Sequence, residues 1–359
     1  MNAAQHIATL GQSLWLDNLS RSLLRDGTLA GLIAESGVSG VTSNPSIFQN
    51  ALATSPYYAD DLARLKADEP DAERRYEALV IPDIQAACDL LLPTYEASGG
   101  NDGYVSLEVA PRWAYDAART VEEAQRLSAA VDRRNLLVKV PGTPEGVRAF
   151  EALTVLGINV NVTLLFSTAQ VKAVFDAYLR GLAIRAAAGA DVRRSKAVAS
   201  LFLSRVDTLV DTQLTAIGTD EALSLRGRAA VAMAKIAYQD YLQIFHDAPF
   251  AALAQQGATP QYLLWASTGV KNPAYPDLLY VEPLIGRETI NTLPDKTLAA
   301  LVDHGKAALT LETGADEAAT QLAALAHLGV SMDAVGERLQ IDGVNSFEAS
   351  FTKLLEQTA

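Results

Sequence analysis

Asn135-Leu-Leu-Val-Lys-Val-Pro-Gly142 reads as a short buried strand with a single lysine set into it. Side chains alternate along a strand, so Leu136, Val138 and Val140 share one face, and Leu137 and Lys139 the other. A lysine is seldom fully buried unless its charge is paired or its pKa falls. A desolvated lysine is also the usual amine nucleophile in Schiff-base chemistry on carbonyl substrates. Taken alone, the segment better fits a plainer reading, in which Lys139 snorkels from a strand end to water.

Outward from this stretch, short apolar or alternating runs recur, each followed by turn residues and a helical pattern. The runs are Ser13–Leu19, Gly40–Phe48, Tyr104–Val109, Asn135–Val140, Ile158–Phe166, Ala197–Ser204, Gln261–Ser267 and Leu279–Ile285. Helical segments such as Pro144–Leu156, Ser167–Ala188 and Arg226–His246 separate them. Strand–helix alternation implies a parallel sheet, and eight such units predict an α/β fold, a closed (β/α)8 TIM barrel. An open doubly wound sheet is the alternative, but no Gly-x-Gly-x-x-Gly joins a strand to a helix near the start. A phosphate-binding loop ending in Gly-Lys-Ser/Thr is also missing from the sequence.

Three regions exceed the minimum barrel. Pro56–Gly99 predicts an extra helical layer between the second and third strands, and Thr219–Gln256 a helical excursion before the seventh. Beyond the eighth, Leu293–Gly305, Ala315–His327 and Phe347–Gln357 read as extra helices. The last of these has Phe347, Phe351 and Leu354 at helical spacing, which pins a C-terminal helix onto something apolar. No linker-like stretch divides the chain, so residues 1–359 are expected to form a single domain.

The bulk numbers narrow the function classes. A net charge of -13 argues against nucleic acid and against an anionic membrane surface. It leaves room for phosphorylated small molecules, which need only a local basic pocket. Cys88 is the one cysteine, which excludes an intrachain disulfide and a cysteine-built zinc site. His6, His246, His304 and His327 are scattered, so no metal site is expected. No stretch reaches the length of a membrane span and no secretory signal opens the chain, so the expected location is cytoplasmic.

Barrel enzymes take their catalytic groups from the C-terminal ends of several strands, and polar residues collect there. The first run ends in Asp17-Asn18, the second in Thr42-Ser-Asn44 and the third in Glu108. The fourth holds Lys139, and the fifth holds Asn159, Asn161 and Thr163 at period two. Ser200 lies in the sixth with Arg205 just after it; Ser267 ends the seventh, followed by Lys271. Each has a plain reading: Asp17 and Asn44 as turn or cap residues, Glu108 as a structural carboxylate, Arg205 and Lys271 as solvated charges. Their convergence is the informative feature. An amine attacking a ketone needs an acid/base to expel water from the carbinolamine. Cleavage of the neighbouring carbon–carbon bond needs a base for the substrate hydroxyl, and basic groups on the far side suit a terminal phosphate.

These residues resemble the transaldolases, class I, Schiff-base-forming (β/α)8-barrel enzymes of the pentose phosphate pathway, over nearly the whole chain. The resemblance rests on Trp15-Leu-Asp17-Asn18-Leu-Ser-Arg21, Gly40-Val-Thr-Ser-Asn44-Pro-Ser-Ile-Phe48 and Val105-Ser-Leu-Glu108-Val. It continues in Leu137-Val-Lys139-Val-Pro-Gly-Thr-Pro-Glu-Gly146 and Gly157-Ile-Asn-Val-Asn161-Val-Thr163-Leu-Leu-Phe-Ser167. Later pieces are Ala199-Ser200-Leu-Phe-Leu-Ser-Arg205-Val-Asp207 and Trp265-Ala-Ser267-Thr-Gly-Val-Lys271-Asn-Pro. Asn291-Thr-Leu-Pro-Asp-Lys-Thr-Leu298 and Asp303-His-Gly305 look like the longer bacterial subfamily.

The resemblance implies that Lys139 forms the Schiff base, that Glu108 is the acid/base through a water Thr163 helps hold, and that Asp17 takes the proton from the C4 hydroxyl. It implies that Asn44 and Asn161 bind the dihydroxyacetone unit with Ser200 nearby, and that Arg205, Ser267 and Lys271 hold the phosphate. The implied reaction carries a three-carbon unit from sedoheptulose 7-phosphate to glyceraldehyde 3-phosphate, giving erythrose 4-phosphate and fructose 6-phosphate. No metal or organic cofactor is implied, and the chain is expected as a monomer or homodimer. Where many members of the family place an arginine two residues after the serine that ends the seventh strand, this chain has Ser267-Thr-Gly-Val-Lys271. A lysine there is a point charge without the arginine fork. Two other readings stay open: an aldolase that releases free dihydroxyacetone from fructose 6-phosphate, and a sugar-phosphate-binding barrel in which Lys139 is structural.

Overall fold

The computed structural model describes residues 2–359. Its strands are β1 (Gln12–Leu16), β2 (Val38–Thr42), β3 (Val105–Glu108), β4 (Leu136–Pro141), β5 (Val160–Leu165), β6 (Ala197–Phe202), β7 (Tyr262–Ala266) and β8 (Thr289–Leu293). Each pairs in parallel with its successor, and β8 pairs with β1, so the sheet closes into an eight-stranded barrel. Helices stand between successive strands except β7 and β8, which a loop with one 3-10 turn joins, so the order is that of a TIM barrel. No helix among the described residues is long and apolar enough to cross a membrane.

β2 reaches β1 closely because of one residue. A Cβ on Gly40 would stand 2.5 Å from the indole of Trp15, so any side chain there collides with a fully buried ring. Trp15 in turn donates its indole N–H to Asp102 at 2.9 Å.

One expected strand is overturned. Leu279–Ile285 is not β8 but a loop with a single 3-10 turn, Glu282–Leu284, started by Pro283. The run is apolar because Tyr280, Val281, Leu284 and Ile285 are buried, not because they are strand. Its backbone is met by side chains instead of a ladder: the Leu284 carbonyl accepts from Gln12 at 2.6 Å and from the Trp265 indole at 3.1 Å. The true eighth strand, Thr289-Ile-Asn-Thr-Leu293, is too polar to announce itself, yet all five residues are buried. Two other runs overshoot. β1 stops at Leu16 and β2 at Thr42, because Arg21–Arg25 and Pro45–Thr54 are helices capped by Ser20 and Asn44.

The extra helices are present where the sequence places them. Ala59–Asp68 and Ala72–Ala97 fill the stretch between β2 and β3, and Ala315–His327 follows β8. A buried pair fixes the first layer: Arg21 donates to Asp83 at 2.9 Å, and Tyr58 donates to the other oxygen at 2.7 Å. The C-terminal helix is far longer than its apolar face implies, running Met332–Thr358. Phe351 packs edge-on against Tyr76 at 5.6 Å, and Tyr76 against Phe48 at 6.0 Å. This aromatic stack joins the last helix to two others beside the barrel mouth. Gln340 in the same helix donates to the carbonyls of Gly142 at 2.8 Å and Leu164 at 3.1 Å, at the ends of β4 and β5. Leu164 has φ of 60°, a conformation costly for a branched residue, and Gln340 holds its carbonyl in place.

Candidate active site

Parallel register brings the central groups together. Glu108 on β3 is the Cα partner of Lys139 on β4, and Lys139 that of Asn161 on β5. The three side chains therefore form one rung on the inner face. Lys139 is 4% exposed, so the plain snorkelling reading does not describe it. Its Nζ donates to the Ser43 carbonyl at 3.2 Å and lies 3.8 Å from Glu108 Oε2.

Glu108 Oε2 and Thr163 Oγ1 are both buried without a hydrogen-bond partner among the described residues. Burial pushes the Glu108 carboxyl up to about 7; Lys139 opposes the shift, and Asp17 adds to it. Asp17 follows β1 and is likewise raised, first by burial, against the pull of Lys139 and of a 2.8 Å hydrogen bond from Thr42. Two carboxyls and an amine thus share one low-dielectric space, an arrangement suited to passing protons.

Asn161 spends one donor and one acceptor on its neighbours, leaving a second N–H and a second lone pair. Its Oδ1 accepts from Ser200 at 2.7 Å, and its Nδ2 donates to Ser106 at 3.0 Å. Asn44 is a helix cap, its Oδ1 accepting from the Ile47 amide at 3.0 Å, and it also lines the mouth. Ser267 has φ of 55° and shares a 2.8 Å hydrogen bond with Ser204. Arg205 lies over Phe202 at 5.7 Å and Phe347 at 6.0 Å, and burial lowers its pKa against the attraction of Asp17. Lys271 is exposed on the loop after β7.

Asp17, Asn44, Lys139, Ser200, Arg205, Ser267 and Lys271 line one cavity of about 180 Å³. Glu108, Asn161 and Thr163 stand in or beside the same rung, outside that lining. Asn159 does not join them. It precedes β5 at the opposite end of the barrel, where it accepts from the Lys196 amide at 3.0 Å and donates to the Arg134 carbonyl at 3.2 Å. Period two continued correctly, but the strand's length carried Asn159 to the wrong end.

Sequence reasoning missed several lining residues, Ser46, Phe202, Thr292, Pro294 and Phe347, and named Thr42 at a strand end without giving it a role. Thr42 shares a hydrogen bond of 2.7 Å with Thr292, tying β2 to the unrecognised β8. Strand parity at Asp17 and Asn44 was enough to find Thr42. Phe347 carried no such signal, because its reach over the mouth depends on where the last helix docks.

The chain matches the family model described as Transaldolase/Fructose-6-phosphate aldolase over residues 14–358. It is 73% identical over 357 residues to a protein of Thiobacillus denitrificans named Transaldolase, covering 99% of both chains. It is 51% identical over 355 residues to a Transaldolase of Neisseria meningitidis, again with 99% of each covered. A Streptomyces coelicolor protein named Transaldolase 1 is 47% identical over 354 residues, 98% of this chain and 93% of the other. With the barrel and its amine-bearing mouth, these full-length likenesses place the chain in the transaldolase/fructose-6-phosphate aldolase family.

Proposed function

We propose that Lys139, Glu108 and Asp17 carry the chemistry of this barrel through a Schiff base. The activity is that of a transaldolase, a transfer of an aldehyde or ketone residue, by family and full-length likeness. The observation that carries the residue assignment is the buried Lys139 amine, 3.8 Å from a carboxyl held near neutrality and in one cavity with a second carboxyl.

In this reading Nζ of Lys139, as the free amine, attacks the C2 carbonyl of a ketose phosphate. Glu108 donates a proton to the departing hydroxyl, through a water held with Thr163, and water leaves to give the iminium. Asp17 accepts the proton of the C4 hydroxyl. The C3–C4 bond breaks, its electrons pass into the iminium, and an aldehyde departs from a bound three-carbon enamine. An acceptor aldehyde then takes the reverse path. Sedoheptulose 7-phosphate as donor and glyceraldehyde 3-phosphate as acceptor give erythrose 4-phosphate and fructose 6-phosphate. Asn44 and Asn161 meet the dihydroxyacetone unit with Ser200 nearby, and Arg205 with Ser267 and Lys271 takes the phosphate. A cytoplasmic setting in sugar-phosphate metabolism accompanies this reading, with residues 1–359 acting as one domain.

Transfer is favoured over hydrolytic release by the last helix, whose Phe347 walls the cavity and shields an enamine from water. Borohydride reduction in the presence of fructose 6-phosphate tests the assignment. Mass spectrometry should find a reduced three-carbon adduct on Lys139, and folded protein without that adduct would refute the Schiff base.

A further inference from the structure

The mouth is not the roomiest opening of this barrel. At the N-terminal end of the strands lies a cavity of about 280 Å³, bordered by Tyr95, Tyr104, Arg134, Arg193, Arg194 and Lys196. Four cations and a single carboxylate, Glu96, face it, in a chain whose net charge is -13. The mechanism uses none of them.

Lys196 is the unusual member. It stands four residues before Ser200, so strand parity turns it toward the barrel axis. It is 3% exposed, and its Nζ has no hydrogen-bond partner among the described residues. The ammonium lies 3.7 Å from the centre of the Tyr262 ring, a cation–π contact that satisfies none of its three donors. Asp102 and Glu288 attract it from a distance, but both carboxylates are bonded elsewhere. Asp102 accepts from Ser13 at 2.5 Å and from Trp15 at 2.9 Å. Glu288 is held by Tyr241 at 2.7 Å and His246 at 2.6 Å. Burial outweighs their attraction and pulls the Lys196 pKa down to about 8.

The neighbours reinforce the point. Ser195 Oγ, on the same wall, is also buried without a hydrogen-bond partner among the described residues. Arg194 forms no ion pair among the described residues. Arg134 is tied to Glu96 and Arg193 to Asp191, so both guanidinium groups are held at the rim with donors to spare. A buried cation left without a hydrogen-bond acceptor is costly, and an anion entering this cavity supplies one. Forked guanidiniums beside an ammonium match the several acceptor oxygens of a phosphate better than a single carboxylate.

We propose that the cavity at the N-terminal end of the barrel is a second anion site, which takes a phosphate group, free or carried by a small molecule, between Arg193, Arg194 and Lys196. It is separate from the phosphate position at the mouth, which belongs to Arg205.

Calorimetric titration of the full chain with inorganic phosphate, pyrophosphate and glycerol 3-phosphate tests this. The wild type should show two sites. Lys196→Met and Arg194→Ser should each weaken one of them roughly tenfold or more while leaving kcat/KM of transfer unchanged. Arg205→Ala should weaken only the other. Arg194 is exposed, so its variant keeps the test valid if Lys196→Met folds poorly. Tighter binding of glycerol 3-phosphate than of inorganic phosphate at the Lys196-dependent site assigns a phosphorylated metabolite, and the reverse order assigns free phosphate. A single wild-type site abolished by Arg205→Ala, or titrations indifferent to both Lys196→Met and Arg194→Ser, would overturn the proposal.

Discussion

The Lys139 amine and Glu108 Oε2 stand 3.8 Å apart on neighbouring strands whose Cα positions pair in register. The separation is too long for a firm hydrogen bond and short enough for a relayed proton. Burial places the Glu108 titration near 7, so the carboxyl holds its proton below that pH and loses it above. An acid that must release water from the carbinolamine is spent once ionised. The pH profile of kcat/KM should therefore fall as pH rises through about 7. Glu108→Gln should lower kcat by about 10²–10³-fold and remove that limb. A variant that kept the same inflection would assign it to another group.

In the proposed mechanism Asp17 serves a later step, so its loss should leave a different footprint. With Asp17→Ala the amine still condenses with fructose 6-phosphate, but nothing accepts the C4 hydroxyl proton. Turnover should drop by roughly 10²–10⁴-fold. Reduction should now trap the intact six-carbon phosphate on Lys139 instead of the three-carbon unit, read directly as a mass difference. A three-carbon adduct at wild-type rate would remove Asp17 from the cleavage step.

Arg205 and Lys271 both border the mouth, but only Arg205 is desolvated there. A charge-assisted hydrogen bond is worth about 1.5–3 kcal/mol, more where water is excluded. Arg205→Ala should raise KM for phosphorylated substrates about 10–100-fold with a smaller change in kcat. Lys271→Ala, on an exposed loop, should cost less than about fivefold. The opposite ranking would move the phosphate site along the loop after β7.

Phe347 is 4% exposed and closes one side of the cavity. Phe347→Ala should destabilise the fold by about 3 kcal/mol. The sharper readout is partition: free dihydroxyacetone released per transfer should rise as water reaches the enamine. An unchanged ratio in folded enzyme would deny the helix its shielding role.

Much of this architecture was legible because the barrel repeats one physical rule. Buried parallel strands are apolar runs, and the single lysine in Leu136–Pro141 stands out against such a run. Thr289–Leu293 failed the rule because Thr289 and Asn291 spend their polar groups on a loop: Thr289 donates to the Gly286 carbonyl at 2.6 Å, and Asn291 to that of Tyr280 at 3.0 Å. Strand burial was thereby purchased with side-chain hydrogen bonds that no hydropathy pattern shows. The last helix was found only from Phe347 onward, because Gly336 and Gly343 interrupt its earlier turns. A Cβ on Gly336 would stand 2.8 Å from Ser167, and one on Gly343 3.0 Å from Leu164, so both glycines mark contact with the end of β5. The turns around these glycines are the surface by which the helix reaches the mouth. The cations at the N-terminal end were invisible for another reason: Arg134 and Arg193–Lys196 are distant in sequence, and only the pairing of β4 and β6 through β5 brings them to one end of the barrel.

Asp207 provides a stability test independent of catalysis. It lies in the first turn of the helix Ser204–Ile217, where Oδ1 accepts from the Ala230 amide and Oδ2 from the Tyr280 hydroxyl, each at 2.8 Å. Burial nevertheless outweighs both bonds and raises the carboxyl from 3.8 to about 6, with nearby Asp211 adding to the shift. A folded pKa above the unfolded one means that the native state binds the proton more tightly. The resulting stabilisation is complete below about pH 4 and is lost as pH rises through about 6. Above that point the fold carries a buried charge. Asp207→Asn removes the charge, keeps the acceptor for Ala230 and offers its amide to the Tyr280 oxygen. The variant should gain on the order of 2 kcal/mol over the wild type at about pH 8, and the gain should vanish near pH 4. Thermal unfolding of both proteins at the two pH values measures the difference. A gap that did not change with pH would mean that packing or hydrogen-bond geometry, not ionisation, sets the effect of this residue.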